Sequence, residues 1–259
     1  MSSAAHTVLI TGASSGIGAA YAAEFASRGD NLILVARRVD RLEQLAERLR
    51  AAHRVEVDVL SADLSADGAA GALWGRLGGR PIEVLVNNAG FGHGGHFVDE
   101  APELTRDEIH LNVLTLVELA RLALPGMMER RTGAIVNIAS TASFQPVPGM
   151  AVYGATKAFV RSFTEALWAE TRGSGVRVLA VNPGATATEF FEVASAKPKG
   201  IPVPVAHVVS RTMRALDRAD SPSVVVGFSN AVTAKLVQIL PKRFVINTVA
   251  RMFLPERTR

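Results

Sequence analysis

Short runs of aliphatic and β-branched residues recur along the chain, and stretches with helical spacing separate them. Near-continuous Val, Ile and Leu runs are typical of strands that are buried on both faces of a sheet. Seven such runs predict seven strands, at 7–11 (TVLIT), 31–37 (NLILVAR), 54–60 (RVEVDVL), 83–87 (EVLVN), 134–140 (AIVNIAS), 176–181 (VRVLAV) and 223–227 (SVVVG).

The polar positions between these runs follow a helical period. In DRLEQLAERLRAA, Leu42, Leu45 and Leu49 recur at i, i+3 and i+7, and Arg and Glu occupy the opposite face. Strands that alternate with helices predict a parallel sheet with right-handed crossovers. We therefore expect an α/β fold, a doubly wound parallel β-sheet of about seven strands with helices on both faces. Residues 1–259 contain no linker or repeat, which predicts a single domain.

Two segments depart from this rhythm. The first, at about 189–204 (EFFEVASAKPKGIPVP), is a long connection, and such connections are often lids or binding loops. We expect it to be a substrate loop. The second is the C-terminal extension, at about 231–259, which is unusually apolar for a chain end.

A helical C-terminal extension would carry one apolar stripe, formed by Leu236, Ile239, Leu240, Phe244 and Val245. The favoured interpretation is packing on the core or on a sister subunit. Peripheral membrane contact is the alternative, because basic residues punctuate the stripe, namely Lys235, Lys242, Arg243 and Arg251.

Composition narrows the class of protein. The chain has 259 residues, of which 48% are hydrophobic and 20% charged, enough apolar material for a large core. It contains no cysteine, which excludes disulfides and thiolate sites and fits a reducing cytoplasm. No signal peptide and no apolar run of roughly 18–20 residues is evident, so we expect a cytoplasmic protein without a transmembrane span. The net charge of +4 comes from scattered basic residues, which argues against nucleic-acid binding.

A glycine-rich turn follows the first predicted strand. Gly12, Gly16 and Gly18 lie between that strand and a helix. A dinucleotide pyrophosphate binds at a helix N-terminus, where side chains would block its approach and the tight turn can require positive φ. The hydroxyls of Ser14 and Ser15 can add donors. The turn, including Ile17, therefore predicts a dinucleotide-binding site.

The end of the second strand indicates which dinucleotide binds. An NAD site typically has an acidic residue here, about 20 residues beyond the glycines. This chain has Arg37 and Arg38 instead. A guanidinium suits a 2′-phosphate, so we expect NADP(H) rather than NAD(H), with Arg37 as the first candidate.

Tyr153 and Lys157 are four residues apart in a predicted helix and so share one face. A nearby ammonium can lower the pKa of a phenol by about 1–3 units, towards the range useful for proton exchange. Such a pair is common on helix surfaces, so it indicates a catalytic site only when other motifs accompany it. Ser140 ends the fifth strand and Asn112 lies in a preceding helix. The strand ends also carry NNAG at 87–90 and NPG at 182–184.

With these motifs in one chain, the sequence resembles the short-chain dehydrogenase/reductase family in its common single-domain, Rossmann-like form. The resemblance runs from about Thr7 to Thr188. It implies that Tyr153 is the general acid/base and that Lys157 is its electrostatic partner, which also binds the nicotinamide ribose. It further implies that Ser140 holds the substrate oxygen and that Asn112 supports a water in the proton relay.

The resemblance also assigns cofactor contacts. Asp63 would contact the adenine, and Asn88, Ala89 and Gly90 would line the adenosine side. Pro183 and Gly184 would belong to the same site, and Thr188 would reach the nicotinamide carboxamide or the phosphates. Family habit implies a homodimer or homotetramer through long helices at about 103–128 and 153–172.

The predicted function is an NADPH-dependent carbonyl reductase or alcohol dehydrogenase for a hydrophobic ketone or secondary alcohol. A 3-oxoacyl or steroid-like substrate would suit the apolar residues near the site, namely Phe91, Phe97, Phe144, Val147, Met150, Phe190 and Phe191. The alternative is a non-catalytic dinucleotide-binding regulator or scaffold on the same fold.

His93 and His96 could ligate a metal, but no third ligand is nearby in sequence. A substrate-side loop is favoured there, and no metal is expected. Ser143 could hold substrate or cap the next helix.

Overall fold

The seven predicted strands form one parallel sheet. The structure is a computed structural model that describes residues 6–190, 194 and 202–255. The sheet has the order β3-β2-β1-β4-β5-β6-β7, and every pairing in it is parallel. Its strands are β1 (Thr7–Thr11), β2 (Asn31–Ala36), β3 (Val57–Ser61), β4 (Val84–Asn87), β5 (Gly133–Ile138), β6 (Val176–Asn182) and β7 (Ser223–Val225). This confirms the predicted fold class.

The third strand begins later than expected, at Val57 instead of residue 54. Arg54 has a left-handed backbone with φ 57°, and its amide donates to the Arg50 carbonyl oxygen, so it ends the preceding helix. The chain then needs two more residues before it can pair with β2. The hydrophobic run therefore includes a helix cap that sequence alone could not separate from the strand.

Helices connect the strands. They are α1 (Gly16–Ser27), α2 (Val39–His53), α3 (Ala69–Arg76), α4 (Pro102–Ile109), α5 (Leu116–Glu129), α6 (Ala151–Glu170), α7 (Val205–Arg218), α8 (Phe228–Ile239) and α9 (Lys242–Phe253). A π-helical segment, His110–Thr115, joins α4 to α5, and 3-10 turns lie at Phe97–Asp99 and Thr141–Phe144.

Two hydrophobic cores lie on the two faces of the sheet. Alternate residues of a strand point to opposite faces. Val8 and Ile10 accordingly pack with α1, α2 and α7, and Leu9 packs with α3, α5 and α6. The predicted core residues of α2, including Leu42, are buried in the first of these clusters. Helices on both faces leave the ends of the strands as the place where a ligand can reach the sheet.

The chain direction around the sheet reverses between β1 and β4. In open α/β sheets, a crevice forms at such a point, outside the carboxyl ends of the strands. Here the ends of β1, β4, β5 and β6 meet at that edge. This topology brings the glycine turn, NNAG, Ser140 and NPG to one side of the molecule.

The continuous helical run from Pro102 to Glu129 is long and apolar enough to cross a membrane by length and composition. Core helices of soluble proteins meet the same criterion. In α5, Leu119, Ala123 and Met127 are buried against the sheet. We therefore describe this run as a covering helix of the sheet.

The C-terminal extension folds into two helices, α8 and α9, on either side of Pro241. Of the five residues predicted to form one stripe, Val245 is buried, whereas Leu236, Ile239, Leu240 and Phe244 are exposed. Because one helix ends at Ile239 and the next begins at Lys242, the five residues do not lie on one helix and do not form a single helical stripe. The inner face of α9 instead packs Val245 and Val249 against Val147 and Met150.

The predicted substrate loop, 189–204, lies largely outside the described residues, as does Phe191. Its two ends are described. Thr186 pairs with Val203 in an isolated parallel bridge, and Glu189 and Phe190 face the cleft at the strand ends.

Candidate active site

A cleft of about 480 Å³ runs along the carboxyl ends of the strands. Gly18 and Asn112 lie behind its wall. All the other predicted site residues line it, namely Gly12, Ser14, Ser15, Gly16, Ile17, Arg37, Arg38, Asp63, Asn88, Ala89, Gly90, Ser140, Tyr153, Lys157, Pro183, Gly184 and Thr188.

The glycine turn has the geometry that its composition predicts. Gly12 and Gly16 have φ of 65° and 56°, a conformation that other residues rarely adopt. A Cβ on Gly12 would lie 2.9 Å from the Ala89 Cα, and one on Gly18 would lie 2.6 Å from the Asn88 Nδ2. The glycines therefore let α1 and the end of β1 approach the end of β4.

Hydrogen bonds fix this approach. The Thr11 hydroxyl oxygen accepts from the backbone amides of Asn88 and Ala89, each at 3.0 Å. The Asn88 side-chain amide donates to the Thr11 carbonyl oxygen at 2.9 Å. These bonds join two strand ends into one wall of the cleft, and the first residues of α1 line the cleft beside it.

The start of α1 suits a diphosphate. Its first turn carries no acidic side chain, and the N-cap residue Ser15 makes no capping hydrogen bond. The helix dipole and the first-turn amides favour an anion at this place. The bare Gly12 and Gly16 leave room for it. The residues present therefore fit the phosphates of a dinucleotide.

Both arginines at the end of β2 line the cleft. Arg38 donates to the hydroxyls of Ser14 and Ser15 at 3.1 and 2.9 Å and pairs with Glu189 at 2.8 Å. Hydrogen bonds from Arg38 and Arg41 lower the pKa of Glu189 to about 2. Arg38 thus ties the glycine turn to the start of the substrate loop.

Asp63 lies at the same end of the cleft. Its carboxylate accepts from the Ser65 hydroxyl at 2.7 Å and from the Ser65 amide at 3.0 Å. These bonds lower the pKa of Asp63, and the Arg37 charge lowers it further. Asp63 is therefore an ionised acceptor, which suits an exocyclic amine of a purine.

Lys157 lies at the other end of the cleft, almost completely buried. Its ammonium donates to the Ile138 carbonyl oxygen at 2.8 Å, and its Nζ is 5.8 Å from the centre of the Tyr153 ring. Burial lowers the pKa of Lys157 to about 8, and the negative charge of Glu108 opposes that shift. The helix α6 therefore brings the pair together, as the i, i+4 spacing predicts.

The expected lowering of the Tyr153 pKa is wrong for this structure. Burial raises the pKa of Tyr153 to about 12, although part of the residue remains accessible from the cleft. The hydrogen bond with Ser140 opposes the shift, and the charge of Glu108 adds to it. Desolvation is the largest cause, because the phenolate would be formed inside protein. The Tyr153 phenol is thus protonated at neutral pH.

Ser140 does not end β5 as predicted: the strand ends at Ile138, and Ser140 is the N-cap of the 3-10 turn that follows. Its hydroxyl oxygen accepts from the Ala142 amide at 3.1 Å, so its hydrogen can be directed towards the cleft. Ser143, by contrast, is buried and donates to the Asn182 side-chain oxygen at 3.0 Å. Ser143 therefore supports the strand ends and does not line the cleft.

Asn112 occupies the π-helical segment between α4 and α5, a conformation that often marks functional positions. Its side chain accepts from the Phe91 amide at 3.1 Å and donates to the Phe91 carbonyl oxygen at 2.8 Å. A Cβ on Gly90 would lie 2.8 Å from the Asn112 Oδ1 and 3.3 Å from the Lys157 Nζ. Asn112 is therefore a neighbour of Lys157 behind the cleft wall.

The Tyr153 end of the cleft is apolar. Four residues predicted for this region line it, namely Phe91, Val147, Met150 and Phe190. The ring of Phe190 lies 5.1 Å from that of Tyr153, centre to centre. Two other predicted residues do not line the cleft. Phe97 is 64% exposed, and Phe144 stacks under the Arg161 guanidinium at 4.4 Å.

Sequence reasoning missed several residues of the site. Phe253, at the end of α9, closes the apolar end, and Asn230, in α8, lines the cleft beside Gly184. Both are far along the chain from the motifs, and no sequence pattern links them to the site. Glu108 is a different case, because its position four residues before Asn112 is a signal that could have been noticed.

The loop that carries His93 and His96 contacts the C-terminal helix. The His96 ring nitrogen lies 3.0 Å from the Pro255 carbonyl oxygen, which joins this loop to the end of α9. Within residues 6–190, 194 and 202–255, no three His, Asp or Glu side chains gather as metal ligands would.

Comparison with known proteins identifies relatives. A sequence model of the family described as short chain dehydrogenase matches residues 6–199. The very-long-chain 3-oxoacyl-CoA reductase of Mus musculus is 37% identical over 189 residues, 71% of this chain and 61% of that protein. The chain therefore matches less than two thirds of that relative's length.

Two solved structures are similar over most of this chain. A short-chain dehydrogenase from Sphingobium yanoikuyae, in complex with NADPH, is 38% identical with a TM-score of 0.82. The superposition covers 91% of this chain and 96% of that one. The bulky-bulky ketone specific alcohol dehydrogenase from Comamonas testosteroni is 33% identical with a TM-score of 0.79, over 93% and 96% of the two chains.

Proposed function

The chain belongs to the short-chain dehydrogenase/reductase family, and on that premise we propose that it is an NADPH-dependent carbonyl reductase. It reduces a hydrophobic ketone or, in reverse, oxidises the secondary alcohol. The observation that carries this proposal is the convergence of Ser140, Tyr153 and Lys157 at one end of a cleft. The other end of the cleft is a dinucleotide-type glycine turn.

The chain's own residues supply the proton chemistry. When bound, the nicotinamide supplies the hydride, the part of the reaction that side chains cannot perform. Ser140 and Tyr153 donate hydrogen bonds to the substrate oxygen, where negative charge develops, and such preorganised donors are often the largest catalytic contribution. Tyr153 then transfers its proton to that oxygen. The ammonium of Lys157 stabilises the phenolate that remains.

The raised pKa of Tyr153 suits this direction of reaction. A donor with a pKa of about 12 is fully protonated at neutral pH. Its proton leaves only when a more basic alkoxide forms beside it. Burial therefore protects the acid until the substrate oxygen has become a strong base.

We propose NADP(H) as the cofactor, with Arg37 and Arg38 as partners of the 2′-phosphate. Both side chains line the cleft at the end of β2. Guanidinium groups bind phosphate through charge-assisted hydrogen bonds, which an NAD ribose cannot use. The Sphingobium yanoikuyae relative that holds NADPH supports the same choice.

The proposed substrate is a ketone that carries a long or bulky apolar group, such as a 3-oxoacyl thioester or a steroid. The apolar lining of Phe91, Val147, Met150, Phe190 and Phe253 supports this class. Two of the relatives have names that refer to a very-long-chain 3-oxoacyl-CoA and to bulky ketones.

A substrate panel tests the proposal. NADPH and NADH oxidation would be measured side by side on short ketones, bulky ketones, steroid ketones and 3-oxoacyl thioesters. We expect turnover with NADPH on the apolar members of the panel. Cofactor binding without turnover on any of them would favour the regulator or scaffold instead.

Three further expectations stay predictions. Cell fractionation tests the cytoplasmic location, and sedimentation tests the homodimer or homotetramer. Liposome binding tests membrane contact by the exposed side of α8 and α9.

A further inference from the structure

Glu108 is a carboxyl group buried at the end of α4. Its side chain has no solvent exposure, and neither carboxylate oxygen has a hydrogen-bond partner in the part of the chain that the structure describes. The backbone amide of His93 approaches the group but lacks the geometry of a regular hydrogen bond. A buried carboxylate without partners costs stability, so its position calls for a reason.

The surroundings of Glu108 supply that reason. It lies four residues before Asn112, and the side chain of Asn112 is a neighbour of Lys157. The helix α4 packs against α6, which carries Tyr153 and Lys157. The charge of Glu108 acts on both of these residues.

The charged groups that face Glu108 come from two other parts of the chain. Glu100, from the loop before α4, is a like charge, and it joins burial in raising the pKa of Glu108 to about 7. Lys157, from α6, is an opposite charge and lowers that pKa. Among the residues that the structure describes, Lys157 is the cation whose charge acts on Glu108, and it belongs to the proposed catalytic pair.

We propose that Glu108 is a positioning residue for proton transfer, a buried negative charge that keeps Lys157 in its ammonium form. Its catalytic consequence rests on the proposed reductase function. Lys157 can stabilise the Tyr153 phenolate only while it carries its own proton. Burial alone favours the neutral amine, and the charge of Glu108 opposes that tendency.

The first test observes Lys157 directly and needs no turnover. The chain has five lysines, so 13C-labelled lysine gives few NMR signals, and a Lys157→Arg variant assigns the one of interest. Wild-type Lys157 should titrate near pH 8. In Glu108→Gln we expect its titration to move down by about one pH unit, the lower end of the effect of a close opposite charge.

Glu118→Gln is the matched control. Glu118 is also a glutamate of the same helical run and has a buried oxygen without a hydrogen-bond partner among the described residues, but it does not act on Lys157. Its substitution should leave the Lys157 titration unchanged. Glu108→Asp, which keeps the charge, should restore much of the wild-type value.

The second test is the pH profile of kcat/KM for ketone reduction. If the pKa of Lys157 is one unit lower in Glu108→Gln, Lys157 loses its proton at a lower pH. At pH 9, kcat/KM of this variant should therefore be about tenfold below that of the wild type. At pH 6, where Lys157 is protonated in both proteins and Glu108 itself is largely neutral, the two rates should agree within about twofold. A role confined to packing would instead lower the rate by the same factor at every pH.

The outcomes separate the two proposals. An unchanged Lys157 titration in Glu108→Gln, or an equal shift in Glu118→Gln, overturns the inference. A shifted titration with an unshifted rate profile overturns the catalytic role. If the wild type turns over no ketone but the Lys157 titration still shifts in Glu108→Gln, the proposed reductase function is wrong. The electrostatic effect of Glu108 on the pKa of Lys157 is then still supported.

Discussion

The two ends of the cleft are built in different ways. The glycine-turn end consists of strand ends and a helix start that hydrogen bonds lock together, such as those from Asn88 and Ala89 to the Thr11 hydroxyl. The Tyr153 end is closed by side chains from loops and from α9, such as Phe190 and Phe253. One end is therefore backbone that the sheet itself positions, and the other is side-chain packing that distant segments bring in.

Because the two ends are built differently, they can recognise different kinds of ligand. Backbone amides and glycines at a sheet edge hold a group of fixed shape, such as a diphosphate. Apolar side chains on separate segments can change in size without disturbing the sheet. We therefore expect substitutions at the glycine-turn end to affect the cofactor and substitutions in the apolar wall of the Tyr153 end to affect the substrate, each independently of the other.

Tyr153→Phe should have the largest effect and should act on chemistry alone. Loss of a general acid costs about 10²–10⁴-fold in rate, and we expect about 10³-fold in kcat/KM. The dissociation constant of NADPH should change by less than about threefold, because the ring remains. Steady-state kinetics and fluorescence titration measure the two quantities. Near-normal turnover by this variant would remove Tyr153 from the mechanism.

Arg37→Ala should weaken only the cofactor end. Loss of a charge-assisted contact to a 2′-phosphate costs about 1.5–3 kcal/mol, which is roughly 10–150-fold in NADPH affinity. NADH affinity should stay within about threefold, since NADH lacks that phosphate. Arg38→Ala, measured alongside, shows which arginine dominates, because Arg38 is already paired with Glu189. Equal losses for NADPH and NADH would contradict the proposed specificity.

Phe253→Ala should weaken only the substrate end. Removing this ring from the apolar wall should raise KM for a long-chain or bulky ketone about tenfold, from the transfer free energy of the buried part of the ring. A short ketone should be affected less. Met252→Ala is the control, since Met252 is the neighbouring residue and is 45% exposed. An equal change in that variant would point to disruption of α9 as a whole.

The smallest effect should be the coupling between the two ends. In Arg37→Ala combined with Phe253→Ala, the losses in kcat/KM should multiply. Distant sites without shared partners are additive within about 0.5 kcal/mol, roughly a factor of two. A larger deviation would mean that the substrate loop, whose Glu189 pairs with Arg38, transmits changes from one end to the other.

Much of the fold was predictable because it depends on local pattern. Runs such as TVLIT and NLILVAR are apolar on both faces, and only a sheet covered by helices buries such a strand. The glycine turn was equally predictable from the sequence, because the positive φ at Gly12 and Gly16 restricts the residue type. Arg54 shows the limit of such reasoning. It lies in the apolar run predicted as β3, but its left-handed backbone ends α2, so the strand begins later than predicted.

The site was predictable only in part. Tyr153 and Lys157 share a helix face, so their proximity follows from their spacing. The raised pKa of Tyr153 does not, because desolvation depends on every atom packed around the phenol. Nor could spacing show that Glu108 has no solvent exposure or that Phe253 reaches the cleft, since these follow from contacts between segments far apart in the chain.

The amino-acid order therefore specifies the layered sheet, the glycine turn between β1 and α1, and the spacing of Tyr153, the proposed acid, from its cationic neighbour Lys157. Each of these depends on residue type and on spacing within one or two elements. The tertiary structure decides the protonation state of Tyr153, the charge that Glu108 presents to Lys157, and the closing of the apolar end by α9. The physical reason is that burial and electrostatic interaction are properties of the whole packed molecule, whereas periodicity and backbone φ are properties of a short segment.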